Sequence, residues 1–128
     1  MTTPHALPAP NFVILYVASP TDSARFYTTL LGQPPLEASP GFAMFALNPG
    51  TMLGLWAAAH VEPTATAPGG SEIAFSLDSR AAVDAAHAAW KAQGLPIAQP
   101  PTAMDFGYTF VALDPDGHRL RVMVPTEG

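Results

Sequence analysis

The 128-residue sequence has no cysteine, which excludes disulfides, thiol nucleophiles and cysteine-ligated zinc or iron–sulfur sites. Charge is also scarce, because the 5 Lys and Arg and the 10 Asp and Glu together make up only 12% of the residues. That share is about half of the ~25% that is usual in soluble proteins. A net charge of -5 with so few basic residues argues against nucleic acid as a partner, since phosphate binding needs clustered Lys and Arg.

Long hydrophobic runs are missing as well. No apolar run reaches the ~18 residues that a membrane-spanning helix needs, and residues 1–5 (MTTPH) lack the basic and apolar parts of a secretory signal. No membrane partner is expected, and the default prediction is a cytoplasmic protein. The hydrophobic fraction of 48% is ample for a core. Because few charges are available for the surface, we expect leftover apolar surface that contacts a partner subunit or an apolar ligand.

Fifteen prolines and ten glycines separate the periodic segments of the chain. Residues 1–10 are proline-rich and are predicted to form an N-terminal arm. A single domain is predicted over residues 11–125. It consists of one module over about 11–60, a Pro- and Gly-rich linker over about 61–70 and a second module over about 71–125.

The first module is predicted to begin with the strand Phe12–Val17 (FVILYV). A helix follows, with Ser19 as its N-cap, Pro20 at its first position and Gly32 at its end. Further strands are predicted near Leu36, over 42–47 and over 52–56. The first module is therefore interpreted as βαβββ.

The second module repeats this order of elements. The strand Glu72–Leu77 precedes a helix that is capped by Ser79 and closes at Gly94. The segment YTFVAL at 108–113 echoes FAMFAL at 42–47, and a last strand is predicted over 120–124. Each half of the chain is thus predicted as a βαβββ unit.

Two βαβββ modules that each expose an apolar sheet face are not expected to be stable alone. We therefore predict an α+β fold in which the paired modules form a curved mixed sheet with a concave cleft. Alternation along the strands assigns side chains to that cleft, and in the first strand these are Phe12, Ile14 and Tyr16. The same reasoning places the following residues in the cleft or its walls: Phe42, Met44, Met52, Gly54, Trp56, Glu72, Ala74, Ser76, Tyr108, Phe110, Arg119, Arg121 and Met123.

The repeated βαβββ order, the Ser-x-x-Phe-Tyr stretch at 23–27 and the closing DPDGHRLRV at 114–122 resemble the vicinal oxygen chelate superfamily. That superfamily includes glyoxalase I, extradiol dioxygenases, fosfomycin-resistance enzymes and bleomycin-binding proteins. The resemblance covers roughly residues 11–125. In the metal-dependent members it implies four metal ligands, which come from the first and last strands of each module and meet in one cleft.

The residues at these four positions depart from the pattern of the superfamily. They are Phe12 at the first, Gly54, Leu55 or Trp56 at the second depending on register, Glu72 at the third, and Arg121 at the fourth, where the motif has Glu. Of these side chains only that of Glu72 binds divalent cations. Because the superfamily's chemistry depends on a metal that polarises substrate oxygens, metal-dependent catalysis is not expected. No metal or other cofactor and no catalytic residue is predicted.

Three segments, SEIAFSL at 71–77, MDFGYTF at 104–110 and DPDGHRLRV, look like the phenazine antibiotic resistance proteins of this superfamily. Those proteins bind and sequester a planar aromatic antibiotic without a metal, and Trp56 stands where their fourth strand carries a tryptophan. The resemblance implies sequestration of a small planar aromatic compound rather than enzymatic activity. The alternative is a glyoxalase- or dioxygenase-like lyase or oxygenase that uses Glu72 with further metal ligands.

Trp56 is the principal candidate for ligand stacking, because an indole offers a large flat π-face, and core packing is the other interpretation. Glu72 and Arg121 are predicted to form an ion pair in the cleft. That pair is either solvated and without function, or it offers a guanidinium to a ligand carboxylate or carbonyl. The other candidate ligand contacts are Phe12, Tyr16, Met44, Ser76, Phe106, Tyr108 and Phe110.

His87 is predicted to be a surface or satisfied helix histidine, and His118 to be a hydrogen-bonding turn residue. A homodimer is also expected, because small two-module chains of the superfamily commonly build each cleft with strands from both subunits. Whether the modules pair within one chain or swap between subunits stays open at this point.

Overall fold

The sequence repeat corresponds to two structural units in the computed structural model, which describes residues 7–126. One unit comprises residues 1–65 and the other residues 66–128, so the boundary lies inside the segment predicted as a linker. The predicted N-terminal arm is described only from Leu7 to Pro10, which form neither helix nor strand. Its residues 1–6 lie outside the described part of the chain.

The first unit has the predicted βαβββ order. Its elements are β1 (Phe12–Val17), α1 (Pro20–Leu31), β2 (Glu37–Ala38), β3 (Phe42–Asn48) and β4 (Thr51–Ala57), followed by a short 3-10 turn at Ala58–His60. The four strands form one sheet in the order β1-β4-β3-β2. The first and last strands, β1 and β4, pair in parallel, and the other pairs are antiparallel.

Local sequence signals set the ends of α1. The Ser19 hydroxyl accepts a hydrogen bond from the Asp22 N–H at 3.1 Å, and Pro20 occupies the first helical turn. Gly32 ends the helix in the left-handed conformation at φ 69°, which glycine adopts without strain. α1 covers one face of the sheet and forms a core there whose largest buried side chains are Tyr27, Phe45, Leu53, Leu55 and Val17.

The second unit repeats this architecture. Its elements are β5 (Glu72–Ser76), α2 (Arg80–Ala92), β6 (Ile97–Met104), β7 (Gly107–Leu113) and β8 (Arg119–Pro125). The sheet order is β5-β8-β7-β6, again with the first and last strands in parallel. The Ser79 hydroxyl caps α2 by accepting a hydrogen bond from the Ala82 N–H at 3.0 Å. The fold is therefore α+β, with two four-stranded mixed sheets and one helix on each.

The core of the second unit lies between α2 and its sheet. The Trp90 ring meets the rings of Phe75 and Phe110 edge to face, with centroid separations of 5.7 Å and 5.5 Å. Val83 of α2 and Leu120 of β8 are fully buried beside them. In each unit, the sheet face opposite α1 or α2 carries no other helix of the described residues, and we call it the open face of that unit.

The acidic DPDG segment at 114–117 forms a turn. The carboxylate of Asp114 accepts hydrogen bonds from the N–H groups of Asp116 at 2.9 Å and His118 at 2.8 Å. Only 3% of Asp114 is exposed. Its oxygens therefore hold the connection between β7 and β8 in shape. Among residues 7–126, no helix is long and apolar enough to cross a membrane.

Candidate ligand-binding faces

The open face of the first unit is lined by aromatic side chains. On β1, Phe12, Ile14 and Tyr16 are 40%, 46% and 37% exposed, whereas Leu15 and Val17 on the other side of the strand are buried. Trp56 lies directly opposite Tyr16 in the parallel ladder. Their rings meet edge to face, with centroids 6.4 Å apart and planes at 76°.

Trp56 belongs to this open face and not to the α1-covered core. Its neighbours Leu55 and Ala57 are buried, while Trp56 itself is half-buried, as alternation along a strand requires. On its other side Trp56 is paired with Phe42 of β3. An indole that is seated between Tyr16 and Phe42 and still accessible is available for contact with an aromatic ligand.

Gly54 makes room for two rings on the same face. A Cβ atom at this position would lie 3.0 Å from the Phe42 ring and 3.1 Å from the Phe12 ring. The rings from β1 and β3 therefore approach each other over the backbone of β4, which only a residue without a side chain permits. Met44 is paired with Gly54 and completes this apolar surface.

The open face of the second unit has a polar centre instead. The predicted ion pair is present: Arg121 Nε donates to Glu72 Oε1 at 2.6 Å, and the two side chains are 16% and 33% exposed. Arg121 Nη1 also donates to Thr109 Oγ1 at 3.2 Å and to Gln99 Oε1 at 3.4 Å. The guanidinium carbon lies 5.6 Å from the centroid of the Phe106 ring.

The ion pair joins diagonal neighbours rather than residues directly opposite. In the ladder Glu72 is paired with Arg119, and Arg121 is paired with Ala74. A long Arg side chain spans the diagonal easily. Arg119, which is paired with Glu72 in the ladder, is exposed. Ser76 is also exposed on this strand and is paired with Met123.

Tyr108 and Phe110 were assigned to the wrong side of the sheet. Phe110 has no exposed surface, and its ring contacts those of Trp90 and His87, the latter at 5.3 Å. Tyr108 also faces α2, where its hydroxyl donates to Asp84 Oδ1 at 2.6 Å. The contact with Phe110 agrees with the prediction of a satisfied helix position for His87.

The error comes from matching YTFVAL to FAMFAL, which equates Tyr108 with Phe42. In the ladders, Phe42 is paired with Trp56 on β4, and the residue at the corresponding place on β7 is Thr109, which is paired with Met123. A shift of one residue moves every side chain of a strand to the opposite face. Thr109 therefore takes the open-face position that had been given to Tyr108.

The environment of Tyr108 favours its neutral phenol. The hydrogen bond to Asp84 raises the pKa of Tyr108 above its usual 10.0, and desolvation and the Asp84 charge act in the same direction. The Arg80 guanidinium, 4.7 Å from the ring centroid, opposes this shift. Tyr108 therefore links β7 to α2 as a hydrogen-bond donor.

Two partners of Arg121 were not anticipated from the sequence. Matching YTFVAL to FAMFAL displaces Thr109 by one residue from its place in the ladder, so its open-face position was not recognised. Gln99 lies on β6, which contains Pro100 and Pro101 and whose strand character the prolines obscured. A polar residue directly before a proline pair, in the place of a third strand, is the only signal that could have indicated Gln99.

Comparison with known proteins identifies the family. The family model described as the glyoxalase/bleomycin resistance protein/dioxygenase superfamily matches residues 9–122. The chain belongs to this superfamily. The resemblance found in the sequence is thereby confirmed.

Proteins that are similar to this chain in sequence or structure carry different descriptions. The phenazine antibiotic resistance protein EhpR of Enterobacter agglomerans is 30% identical over 116 residues, which cover 88% of this chain and 89% of EhpR. A solution NMR structure of an Agrobacterium tumefaciens protein is 48% identical, with a TM-score of 0.87 over 94% of this chain and all of that chain. A glyoxalase-related enzyme from Fulvimarina pelagi has a TM-score of 0.81 at 23% identity, covers 92% of this chain and 88% of its own, and supports the fold alone.

The ladder settles which residue stands at the second metal position of the superfamily. Arg121, at the fourth position, is paired with the residue two places after Glu72. By the same relation the second position is Gly54, which is paired with Ile14, two places after Phe12. The four positions are thus Phe12, Gly54, Glu72 and Arg121.

These four residues do not fit a divalent metal ion. Phe12 and Gly54 have no ligand atom in their side chains, and the carboxylate of Glu72 is engaged by a fixed cation at 2.6 Å. Among residues 7–126, no three His, Asp or Glu side chains are grouped so that they could hold an ion.

Proposed function

We propose that this protein binds and sequesters a small planar aromatic compound without a metal, in the manner of an antibiotic-resistance protein. The observation that carries the proposal is the aromatic open face of the first unit, where Trp56 meets the Tyr16 ring, is paired with Phe42 across the ladder and stays accessible. The proposed ligand contacts on this face are Phe12, Tyr16, Met44 and Trp56.

The physical argument is one of preorganised stacking. Neighbouring rings and the β-ladder limit the motion of the Trp56 indole, so little side-chain freedom is lost when a flat ligand binds. Aromatic stacking adds ~0.5 to 1.5 kcal/mol to the burial of apolar area. The likeness to EhpR, whose name describes phenazine antibiotic resistance, supports a tricyclic aromatic compound as the ligand class.

The absence of metal ligands on Phe12 and Gly54 supports metal-independent binding. In place of ligand atoms the first unit has two phenyl rings over a glycine, a surface suited to apolar contact. On the open face of the second unit, the proposed contacts are Glu72, Ser76, Phe106 and Arg121. Tyr108 and Phe110 are not proposed as contacts, because both side chains face α2.

We also propose that the protein acts as a homodimer. On the open face, β1 leaves Phe12, Ile14 and Tyr16 between 37% and 46% exposed, and contiguous apolar surface of this kind is typical of protein–protein contacts. Light scattering coupled to size-exclusion chromatography should give about twice the chain mass of 13.4 kDa. A monomer at all concentrations would contradict this part of the proposal.

The two tryptophans allow a test of the binding face. Trp56 lies on the open face and Trp90 lies on the α2 side of the other unit, so each can be made the single fluorophore. In the Trp90→Phe variant, phenazine should quench the emission of Trp56 to saturation. In the matched Trp56→Phe variant, the emission of Trp90 should change little.

The same titration tests independence from metal. Phenazine affinity should be unchanged after treatment with a chelator, and Trp56→Ala should weaken it about tenfold, as loss of a stacking partner predicts. A stoichiometric divalent cation in purified protein, or affinity that returns only when metal is added, would overturn the proposal. Unchanged affinity in Trp56→Ala would also contradict the stacking role.

A further inference from the structure

We infer that the open face of the second unit is a binding site for a carboxylate, which Arg121 and Arg119 hold together. The inference concerns a second chemical feature of the ligand, its acid group, and does not require that any ring stacks on Trp56. It is argued from the charges, donors and space around Glu72.

The first argument is the set of donors that Arg121 keeps free. Its Nε–H is used by Glu72, and its Nη1 is used by Thr109 and Gln99. Within the described part of the chain, no acceptor lies within hydrogen-bond distance of Nη2, which carries two N–H groups. The guanidinium is thus fixed in orientation by three partners while one nitrogen remains available.

The second argument is the local charge. Arg121 and Arg119 are two residues apart on β8 and therefore point to the same face, and Glu72 is paired with Arg119 across the ladder. Two guanidinium groups and one carboxylate leave a surplus of one positive charge. A single ligand carboxylate would neutralise this surplus, whereas a neutral ligand would leave it uncompensated.

The third argument is space. A cavity of about 590 Å³ opens beside Glu72 and Arg119, and the segment 68–71 and Gly117 form its other walls. Cavities that hold small molecules usually measure about 300 to 1,000 Å³. Arg119 and Glu72 line this cavity, whereas Arg121 and the 42% exposed Phe106 ring beside it lie outside its lining.

Benzoate and benzamide are a matched pair of probes, since they share a ring and differ in charge. The Nε–H signals of the four arginines can be followed by NMR and assigned from single variants. Benzoate should shift the signals of Arg121 and Arg119 to saturation, with little change at Arg25. Benzamide should produce much smaller shifts, and the benzoate affinity should fall as salt is added.

Three substitutions test the roles of the individual groups. Arg121→Gln should weaken benzoate binding by at least about tenfold, as expected for a charge-assisted hydrogen bond. Arg119→Gln should weaken it about threefold, because Arg119 is exposed. Arg25→Gln removes the same charge from α1 in the first unit and should leave the affinity unchanged.

Arg119 is exposed, so Arg119→Gln is expected to fold even if Arg121→Gln does not. Equal responses to benzoate and benzamide, or equal losses in Arg119→Gln and Arg25→Gln, would overturn the inference. Failure of phenazine to quench Trp56 would overturn the proposed function alone, because the readout here is the arginine signals.

Discussion

At equivalent positions of their two sheets, the two units carry side chains of different chemistry. In the first unit, the central position is Gly54, over which lie the rings of Phe12 and Phe42. In the second unit, the central position is Arg121, which is hydrogen-bonded to the side chains of Glu72 and Thr109. The ladder registers make these residues equivalent in the order Gly54 and Arg121, Phe12 and Glu72, Phe42 and Thr109.

The covered faces of the two sheets, in contrast, are alike. Leu53 and Leu55 of β4 and Leu120 and Val122 of β8 are all buried against the helix of their own unit. Packing against a helix restricts these positions to apolar side chains of suitable volume. The open face is under no such restriction, so one topology carries an aromatic surface in one unit and an ion pair in the other.

The largest expected effect on stability tests whether Phe110 lies on the α2 side of its sheet. Phe110→Ala should lower the free energy of unfolding by about 3 to 5 kcal/mol, because it empties a buried site between β7 and α2. Phe106→Ala is the control, since this residue is 42% exposed, and should cost less than about 1 kcal/mol. Urea denaturation measures both, and similar small losses would place Phe110 on the open face.

A smaller effect on stability is expected at Gly54, on the open face of the first unit. Gly54→Ala should lower the free energy of unfolding by about 1 kcal/mol, since the new methyl group displaces the rings of Phe12 and Phe42. Gly41→Ala is a suitable control, because a Cβ there meets only the His60 ring at 3.6 Å, an ordinary contact. If both variants lose the same free energy of unfolding, the packing of the Phe12 and Phe42 rings does not depend on the space at Gly54.

The ion pair of Glu72 and Arg121 should contribute less to the free energy of unfolding than the space at Gly54. Glu72→Gln should cost about 0.5 kcal/mol at low ionic strength, because both partners are partly exposed, and the difference should shrink in about 1 M salt. Arg25→Gln breaks the pair of Arg25 and Asp22, whose side chains are 75% and 68% exposed, and should have no measurable effect. A loss in Glu72→Gln that is independent of salt would show that the carboxylate acts through packing and not through charge.

The smallest effect concerns Tyr108. The sequence repeat equates this residue with Phe42, whereas in the ladders Thr109 is the equivalent of Phe42. The folded pKa of Tyr108 is raised above the usual 10.0, so the stabilisation that it provides is present below about pH 10 and is lost as the pH rises through the folded pKa. Asp84→Asn should lower the pKa of Tyr108, and Tyr108→Phe identifies its signal in an absorbance titration. An unchanged titration in Asp84→Asn would contradict the role of the hydrogen bond.

Elements with local signals were predictable from the sequence. The Ser19-Pro20 cap and the Gly32 stop bound α1, and the run FVILYV has the same limits as β1. Alternation also placed Phe12, Tyr16 and Trp56 on the open face. These features depend on neighbouring residues, which is why the sequence alone was sufficient.

Features that depend on register were not predictable in the same way. The position of Tyr108 depends on how β7 pairs with β8, and sequence similarity to the first repeat suggested a pairing shifted by one residue. The sequence predicts the ion pair of Glu72 and Arg121, whereas its diagonal geometry and the contacts of Arg121 with Gln99 and Thr109 depend on the register of the ladder. Such contacts join residues that are 12 to 49 positions apart along the chain.

The two prolines of β6 have a consequence for the behaviour of the protein at high concentration. β6 lies at one edge of its sheet, and Pro100 and Pro101 offer no N–H groups to an incoming strand. At the corresponding edge of the other sheet, β2 is only two residues long. Neither edge presents the continuous row of donors and acceptors on which fibrils grow, so the chain can remain rich in apolar residues without stacking strand upon strand there.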